Sequence, residues 1–573
     1  MKLSEHLGRH GNTQDIVAGP PQYSQPKGQT AVKLHPDWIN IDDLRTWVRS
    51  CDEKHGASCA PSPDLTGRPE WLIDVCDNCI VPAESHHRYL ALSYVWGQVS
   101  AAETTLANVS GMRQPGSLSP LNNKFIVPKT IQHAMGLVRL LSERYLWVDR
   151  FCICQDDEAS KHSQINNMGG IFANAHVTII AANGWDADHG LRGIKGVTEP
   201  RQISPNFDHD YMESLQPFST IWYHRGWTFQ ELFFSKRKIF FQYQVAVWEC
   251  SCSLWHEGTG LTGHVPTSND GAGNHSSVRS MSPWGISQIP KEPDLQLYFR
   301  IVGHYNDRKL SFPEDGYRAF LGVITALTPI FPGGFIWGLP VTSFAESLLW
   351  VPLQQGKRRM PKKTQTSDQL PSWSWVGWEG PVSPIQGIEG WVPYRKPPAV
   401  SGVHALCEWK WPSKGHMTQL RDKTRCDRPS GDESPSEHRE IETELSNLLR
   451  IDSETTKVPL HSYVHWIDGG EPVDKYEHRG YNEWLDTKIG SEGNRQQFEV
   501  VLIARSINAS YSTQHGKLKK TEEETLLQID PTWCNCIIFE KRDGLAYRIG
   551  VVIIPESQWR AMKKKRRETL VFA

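Results

Sequence analysis

"VTIIAA", residues 177–182, is an unbroken apolar run rich in β-branched side chains. A strand with one wet face would alternate apolar and polar residues. This one does not, so both of its faces are covered, as in the interior of a parallel sheet. Its flanks repeat the theme. Upstream, "SKHSQINNMGGIFANA" (160–175) places Ile165, Met168 and Phe172 at helical spacing, and "YLWVD" (145–149) reads as a buried strand before it. Further back, "PKTIQHAMGLVRLLSERY" (128–145) sets Ile131, Ala134, Met135, Val138 and Leu141 on one helical face, with Pro128 suited to a first turn. "RYLALSYVWG" (88–97) is an apolar strand stopping at a glycine. Downstream, "RGWTFQELFF" opens another helix and "RKIFFQ" (237–242) returns as a strand. Strand and helix alternate, so the expected fold class is α/β, a mainly parallel sheet flanked by helices.

Three regions follow. Residues 1–84 form an N-terminal arm and helical lead-in. Residues 1–37 are polar and loose, and a helix starts near Ile41, capped by Asp42 or Asp43. Leu44, Trp47, Val48, Cys51 and His55 share its face, and Gly56 ends it. Residues 85–255 are the α/β domain. Residues 256–573 are a C-terminal region with β-rich parts and flexible loops at 258–295 and 412–440. Within it, 296–327 reads as helical. "LPSWSWVGWEG" (370–380) alternates Trp373, Trp375 and Trp378 with small residues, as a half-buried strand would. "FEVVLIARS" (498–506) is a strand, and Asp543-Gly544 between two apolar runs is a strong hairpin signal.

Composition excludes several function classes. Lys+Arg 62 against Asp+Glu 64 leaves a net charge of −2, too balanced for a nucleic-acid partner. No apolar run is long enough to span a bilayer, and the N-terminus lacks the apolar segment of a signal peptide. A cytoplasmic protein with reduced thiols is expected. The 23 Trp residues suggest thick cores and aromatic-lined clefts. "KKKRR" (563–567) reads as a solvated basic tail.

Parallel sheets bind ligands outside the carboxyl ends of their strands. Ser93, Tyr94, Trp96 and Gly97 end the first strand. Asp149 and Arg150 end the second, with Gln155 in the following loop, and Arg225, Trp227 and Glu231 stand at the start of the last helix. The same residues also read as core aromatics and a turn-capping aspartate. Cys51, His55 and Cys59 with the pair Cys76 and Cys79 allow a zinc reading. Against it, Gly56 breaks the helix before Cys59, and Cys51 suits a core. No metal is expected. The C-x-C pairs Cys152/Cys154, Cys250/Cys252 and Cys534/Cys536 read as same-face packing in strands. No serine-nucleophile, metalloprotease or phosphate-loop motif occurs, and "GLRGIKG" (190–196) reads as a plain loop.

"YLALSYVWGQ" (89–98), "YLWVDRFCICQDD" (145–157) with "QINNMGGIFANA" (164–175), and "RGWTFQEL" (225–232) resemble the three blocks of the heterokaryon incompatibility (HET) domain of filamentous fungi. The second block departs from the pattern: Cys154 stands where Asn is usual, and Phe172 where Tyr is usual. The resemblance implies a role in self/non-self recognition that ends in cell death. The order of elements and "WTFQEL", matching at Trp227, Glu231 and Leu232, is also similar to Toll/interleukin receptor (TIR) domains, whose NAD-cleaving members use the glutamate at this position. That likeness implies Glu231 as a catalytic carboxylate, with Ser93, Tyr94, Trp96, Gly97, Asp149, Arg150, Gln155, Arg225 and Trp227 around a substrate. No cofactor is implied, since NAD enters as the substrate. The alternative is a non-enzymatic signalling module that self-associates through the HET domain, is triggered by a protein partner and is regulated by the C-terminal region.

Overall fold

The computed structural model describes residues 34–61, 67–122, 124–203, 220–258, 292–352, 357–362, 369–384, 448–459, 497–507 and 532–573, with short strand segments at 281–282, 285–286, 404–405, 408–413 and 416–420. The N-terminal arm over 1–33 and most of the 258–295 and 412–440 stretches lie outside the described residues.

An eight-stranded mixed sheet forms the α/β domain. Its strands are β1 (Trp71–Asp74), β2 (Cys79–Pro82), β3 (Tyr89–Ser93), β4 (Tyr145–Trp147), β5 (Thr178–Ala181), β6 (Arg237–Gln242), β7 (Val245–Cys250) and β8 (Leu254–His256). Their spatial order is β2-β1-β4-β3-β5-β6-β7-β8. The central strands β4, β3, β5 and β6 run parallel. β1–β2 and β6–β7–β8 are antiparallel, because short turns join them and a short turn can only reverse a chain. Every residue of β5 is buried, as its continuous apolar run requires.

Helices fill the crossovers. α1 (Ile41–Lys54) precedes the sheet, α2 (Lys129–Leu140) joins β3 to β4, α3 (Glu158–Asn166) and α4 (Met168–Asn174) join β4 to β5, and α5 (Thr228–Phe234) leads into β6. The single helix expected over 160–175 is two, because Asn167 ends α3 and starts α4. Asn40, not Asp42 or Asp43, caps α1, its side chain accepting the Asp42 N–H at 3.1 Å. Leu44, Trp47 and Cys51 face the core as expected, with α1 lying against β7.

Downstream, α6 (Leu295–Asn306) meets α5 through Tyr305 against Phe229, and α7 (Leu321–Leu327) packs on α4 with Gly322 beside Gln230 of α5. The Trp373–Trp378 stretch is not a half-buried strand. Trp373 and Trp375 are fully buried, a 3-10 turn spans Trp375–Gly377, and only Trp378–Glu379 is extended. Indole N–H groups there seek carbonyls instead of leaving the face free: Trp375 reaches the Gly338 carbonyl at 3.2 Å and Trp378 that of Ser372 at 2.8 Å.

The C-terminal region is β-rich. β9 (Leu449–Pro459), β10 (Gln497–Ile507), β11 (Thr532–Arg542), β12 (Leu545–Pro555) and β13 (Arg566–Phe572) pair in the cycle β10-β11-β12-β13-β9-β10, which closes the sheet on itself. Asp543 and Gly544 both have positive φ, 50° and 80°, as a two-residue hairpin turn demands. The basic run is not a free tail. Arg566 and Arg567 open β13 and pair with Glu499 at 3.2 Å and Asp452 at 3.0 Å. The loop expected over 412–440 is also wrong at its start, where Glu408–Ser413 and His416–Leu420 form a hairpin added to β9. Arg548 of β12 docks this sheet on the rest, its guanidinium 3.9 Å from the Trp350 ring and bonded to the Leu348 and Trp350 carbonyls. No helix among the described residues is long and apolar enough to cross a membrane.

Candidate functional site

β3 lies between β4 and β5, so the chain leaves it on one side and later returns on the other. The direction of the connections reverses there, which makes it the switch point where such sheets bind ligands. Ser93 is the last residue of β3 and is buried. Its hydroxyl donates to Glu231 Oε2 and accepts the Trp222 indole N–H at 2.7 Å. Trp222 is itself buried and stands edge-on to Phe240 of β6. A chain of contacts thus runs from the sheet through an indole and a hydroxyl to one carboxylate.

Glu231 sits in the first turn of α5 and is 9% exposed. Among the described residues it forms no ion pair, although Arg225 and Arg308 are close enough to act on it electrostatically. Burial pushes its carboxyl up to about 7, and Asp149 adds to the rise; the Ser93 hydrogen bond, Arg225 and Arg308 oppose it.

The turn before α5 wraps the end of β3. Arg225 donates to the Tyr94 carbonyl at 3.0 Å, and Thr228 donates to the Trp222 carbonyl at 2.7 Å. Gly226 and Lys309 fasten this turn to the segment after α6: Gly226 N–H reaches the Lys309 carbonyl at 2.7 Å, and Lys309 N–H the His224 carbonyl at 2.6 Å. Arg308 then projects into the site. It donates to Thr228 Oγ1 at 3.1 Å, with its guanidinium 4.1 Å from the Tyr223 ring and 5.0 Å from the Phe229 ring.

Asp149, just past β4, forms the second group. Its Oδ2 accepts the Trp96 indole N–H at 2.6 Å and its Oδ1 the Arg150 N–H at 2.8 Å. Arg150 lies 4.2 Å from the Trp96 ring. Burial raises the Asp149 carboxyl, against the pull of the Trp96 and Arg150 hydrogen bonds. Tyr94 is buried beside Asp149 and Arg150. Gly97 has φ +60°, and a Cβ there would lie 2.3 Å from Asp186 Cβ, so the loops after β3 and β5 touch backbone to side chain. The Trp96 carbonyl also accepts the Ala187 N–H at 3.2 Å.

A family model described as heterokaryon incompatibility protein (HET) matches residues 89–231, from the first residue of β3 to Glu231 itself. The chain carries a HET domain. It is 30% identical over 147 residues to heterokaryon incompatibility protein 6, OR allele, of Neurospora crassa. That match spans 25% of this chain and 20% of the relative. No solved structure matches the chain.

Within the HET domain the three sequence blocks converge. Ser93, Tyr94, Trp96, Asp149, Arg150, Arg225 and Glu231 lie around the ends of β3 and β4. Gln155 is occupied elsewhere, its amide donating to the Asp149 and Ile153 carbonyls at 3.1 Å, so it braces the loop. Gly97 is exposed at the rim, and Trp227 is half-buried against the core. The two departures from the family pattern are accommodated by packing. Cys154 is buried with its thiol 3.3 Å from Asp156 Oδ1, and Phe172 meets Trp147 edge-to-face at 5.3 Å. Sequence reasoning missed Trp222 and Arg308. Trp222 could have been flagged as an apolar residue needing an acceptor for its N–H. Arg308 lies outside the HET match and in no motif.

Proposed function

We propose that this chain is an incompatibility effector whose HET domain acts on NAD-like dinucleotides, with Glu231 as the working carboxylate. One observation carries the reading: Glu231 is buried, without an ion pair among the described residues, at the carboxyl ends of parallel strands, its carboxyl raised to about 7. A raised, unpaired carboxyl in such a place is a mark of chemistry more than of architecture. In the reaction proposed, the bond between ribose C1′ and the nicotinamide nitrogen breaks. Its electron pair stays with the ring, which leaves neutral and needs no acid. Water adds to C1′ and releases a proton. The positive charge that builds on the ribose is what the Glu231 carboxylate stabilises. Arg225, Arg150 and Arg308 supply positive charge for the diphosphate, and Trp96 an aromatic wall.

The test is nicotinamide release from NAD by the purified full chain, wild type against Glu231→Gln. Release by wild type and loss in the variant support the reading. Equal release by both removes Glu231 from catalysis. No release by either under conditions that promote self-association favours the non-enzymatic signalling module, in which Glu231 and its neighbours hold the fold.

A further inference from the structure

Far from Glu231, where α1 meets the end of β7, four potential metal ligands converge. They are Cys51, His55, Cys59 and Cys250, and their ligand atoms all lie within 4.8 Å of one another. Two distant parts of the chain build this cluster. Cys51 is in the last turns of α1 and His55 caps it. Gly56, at φ +47°, then reverses the chain into a 3-10 turn over Gly56–Ser58, and this returns Cys59 beside Cys51. The glycine that counts against zinc in the sequence is therefore the device that assembles the ligands. Cys250 ends β7, and its N–H bonds the Ser253 carbonyl at 2.9 Å across a tight turn. Cys76 and Cys79, the pair that the zinc reading of the sequence would add, do not join: they lie at the β1–β2 turn, and Cys76 is exposed.

We propose that Cys51, His55, Cys59 and Cys250 bind a structural zinc ion. Three thiolates and one imidazole are a complete ligand set for a closed tetrahedral site, and soft sulfur ligands select zinc among common divalent ions. The cysteines are free and buried, so neither a disulfide nor solvent occupies their sulfurs. The surroundings match those of ligands. The His55 Nδ1 faces Cys250 Sγ at 3.4 Å, leaving Nε2 3.4 Å from Ser253 Oγ, a partner that would fix the tautomer and aim Nδ1 at the metal. Buried Arg237 donates to Cys51 Sγ at 3.2 Å, and a thiolate is the better acceptor for that bond. Cys252, 3.8 Å from Cys59 Sγ, is a neighbouring thiol outside the four. The ion would staple the lead-in helix to the sheet edge and make residues 41–59 part of the HET-domain fold.

The experiment is metal analysis of the full chain purified after growth with zinc. Wild type is expected to hold about one zinc per chain, released when a mercurial blocks its thiols, with a lowered Tm after strong chelation. Cys59→Ser and Cys250→Ser should lose most of the metal, whereas Cys76→Ser and Cys252→Ser keep it. Because the first two variants risk misfolding, cobalt(II) exchange into wild type gives an independent reading: a thiolate-to-cobalt charge-transfer band is expected. Wild type with less than about a tenth of an equivalent of zinc and no such cobalt band would overturn the site. So would full zinc content in folded Cys250→Ser protein.

Discussion

Two glutamates are buried against the same sheet in opposite settings. Glu257, just beyond β8, receives the Arg201 guanidinium through both oxygens at 2.6 and 2.7 Å, and the Ala246 N–H at 3.3 Å. Glu231 receives a hydroxyl. Burial raises both carboxyls, but around Glu257 a paired guanidinium opposes it at contact. Around Glu231 the guanidinia of Arg225 and Arg308 act from a distance, and Asp149 works against them. The first arrangement ties Arg201 to the sheet edge, and Arg201 in turn bonds the carbonyls of His35 and Trp38 at 2.8 and 3.0 Å. The second ties down little and leaves a carboxyl whose ionisation disfavours the folded state. The difference separates a charge kept for architecture from one kept for something else.

The strongest way to break that contrast is Arg201→Ala. It strands Glu257 and should cost about 3–5 kcal/mol in a urea unfolding series. A loss under about 1 kcal/mol would mean that Glu257 is no lock. Glu231→Gln should move stability the other way. A carboxyl raised from 4.5 to about 7 contributes stability that is whole below the unfolded value and is lost as pH rises through 7. The amide variant should therefore be more stable than wild type by up to about 3 kcal/mol near pH 8, with the gain vanishing near pH 4. Its nicotinamide release should fall by at least about a hundredfold. Wild-type release should climb with pH through about 7, as the carboxylate forms.

Ser93→Ala sharpens the comparison further. Removing the hydroxyl that holds the carboxylate should push the midpoint of that pH profile upward and cost about 1–2 kcal/mol, because the Trp222 N–H loses its acceptor as well. An unmoved midpoint would disconnect Ser93 from Glu231. The smallest effect belongs to Gln155→Ala, which should cost about 1 kcal/mol through its loop and leave the pH midpoint alone.

Periodicity and burial made the central sheet legible. β3, β4 and β5 are short apolar runs that only a covered position tolerates, and the Asp543-Gly544 hairpin carries its own turn chemistry. The antiparallel flank beyond β6 is not legible as such because β7 is buried throughout, like the parallel strands, and shows no alternation of exposed residues. The tryptophan stretch misled because small residues between indoles imitate a strand, while the N–H groups in fact pull the backbone into turns. The converging site residues were legible as strand-end loops. Trp222 and Arg308 were not, since each owes its role to contacts with residues distant in sequence that no local pattern encodes. The cysteine cluster was half legible: the stretch 51–59 supplies Cys51, His55 and Cys59, but the fourth member waits at Cys250.

The paired backbone bonds between His224-Gly226 and Lys309 make the downstream segment a strut under the Arg225 turn. Its consequence is mechanical. A tug on α6 is transmitted without any side chain to the loop that positions Arg225 and Thr228, and it displaces Arg308 at the same time. Cutting the chain at the edge of the HET match would sever α5 after Glu231 and remove β6–β8 together with the strut, so an intact form of this domain extends at least through Lys309.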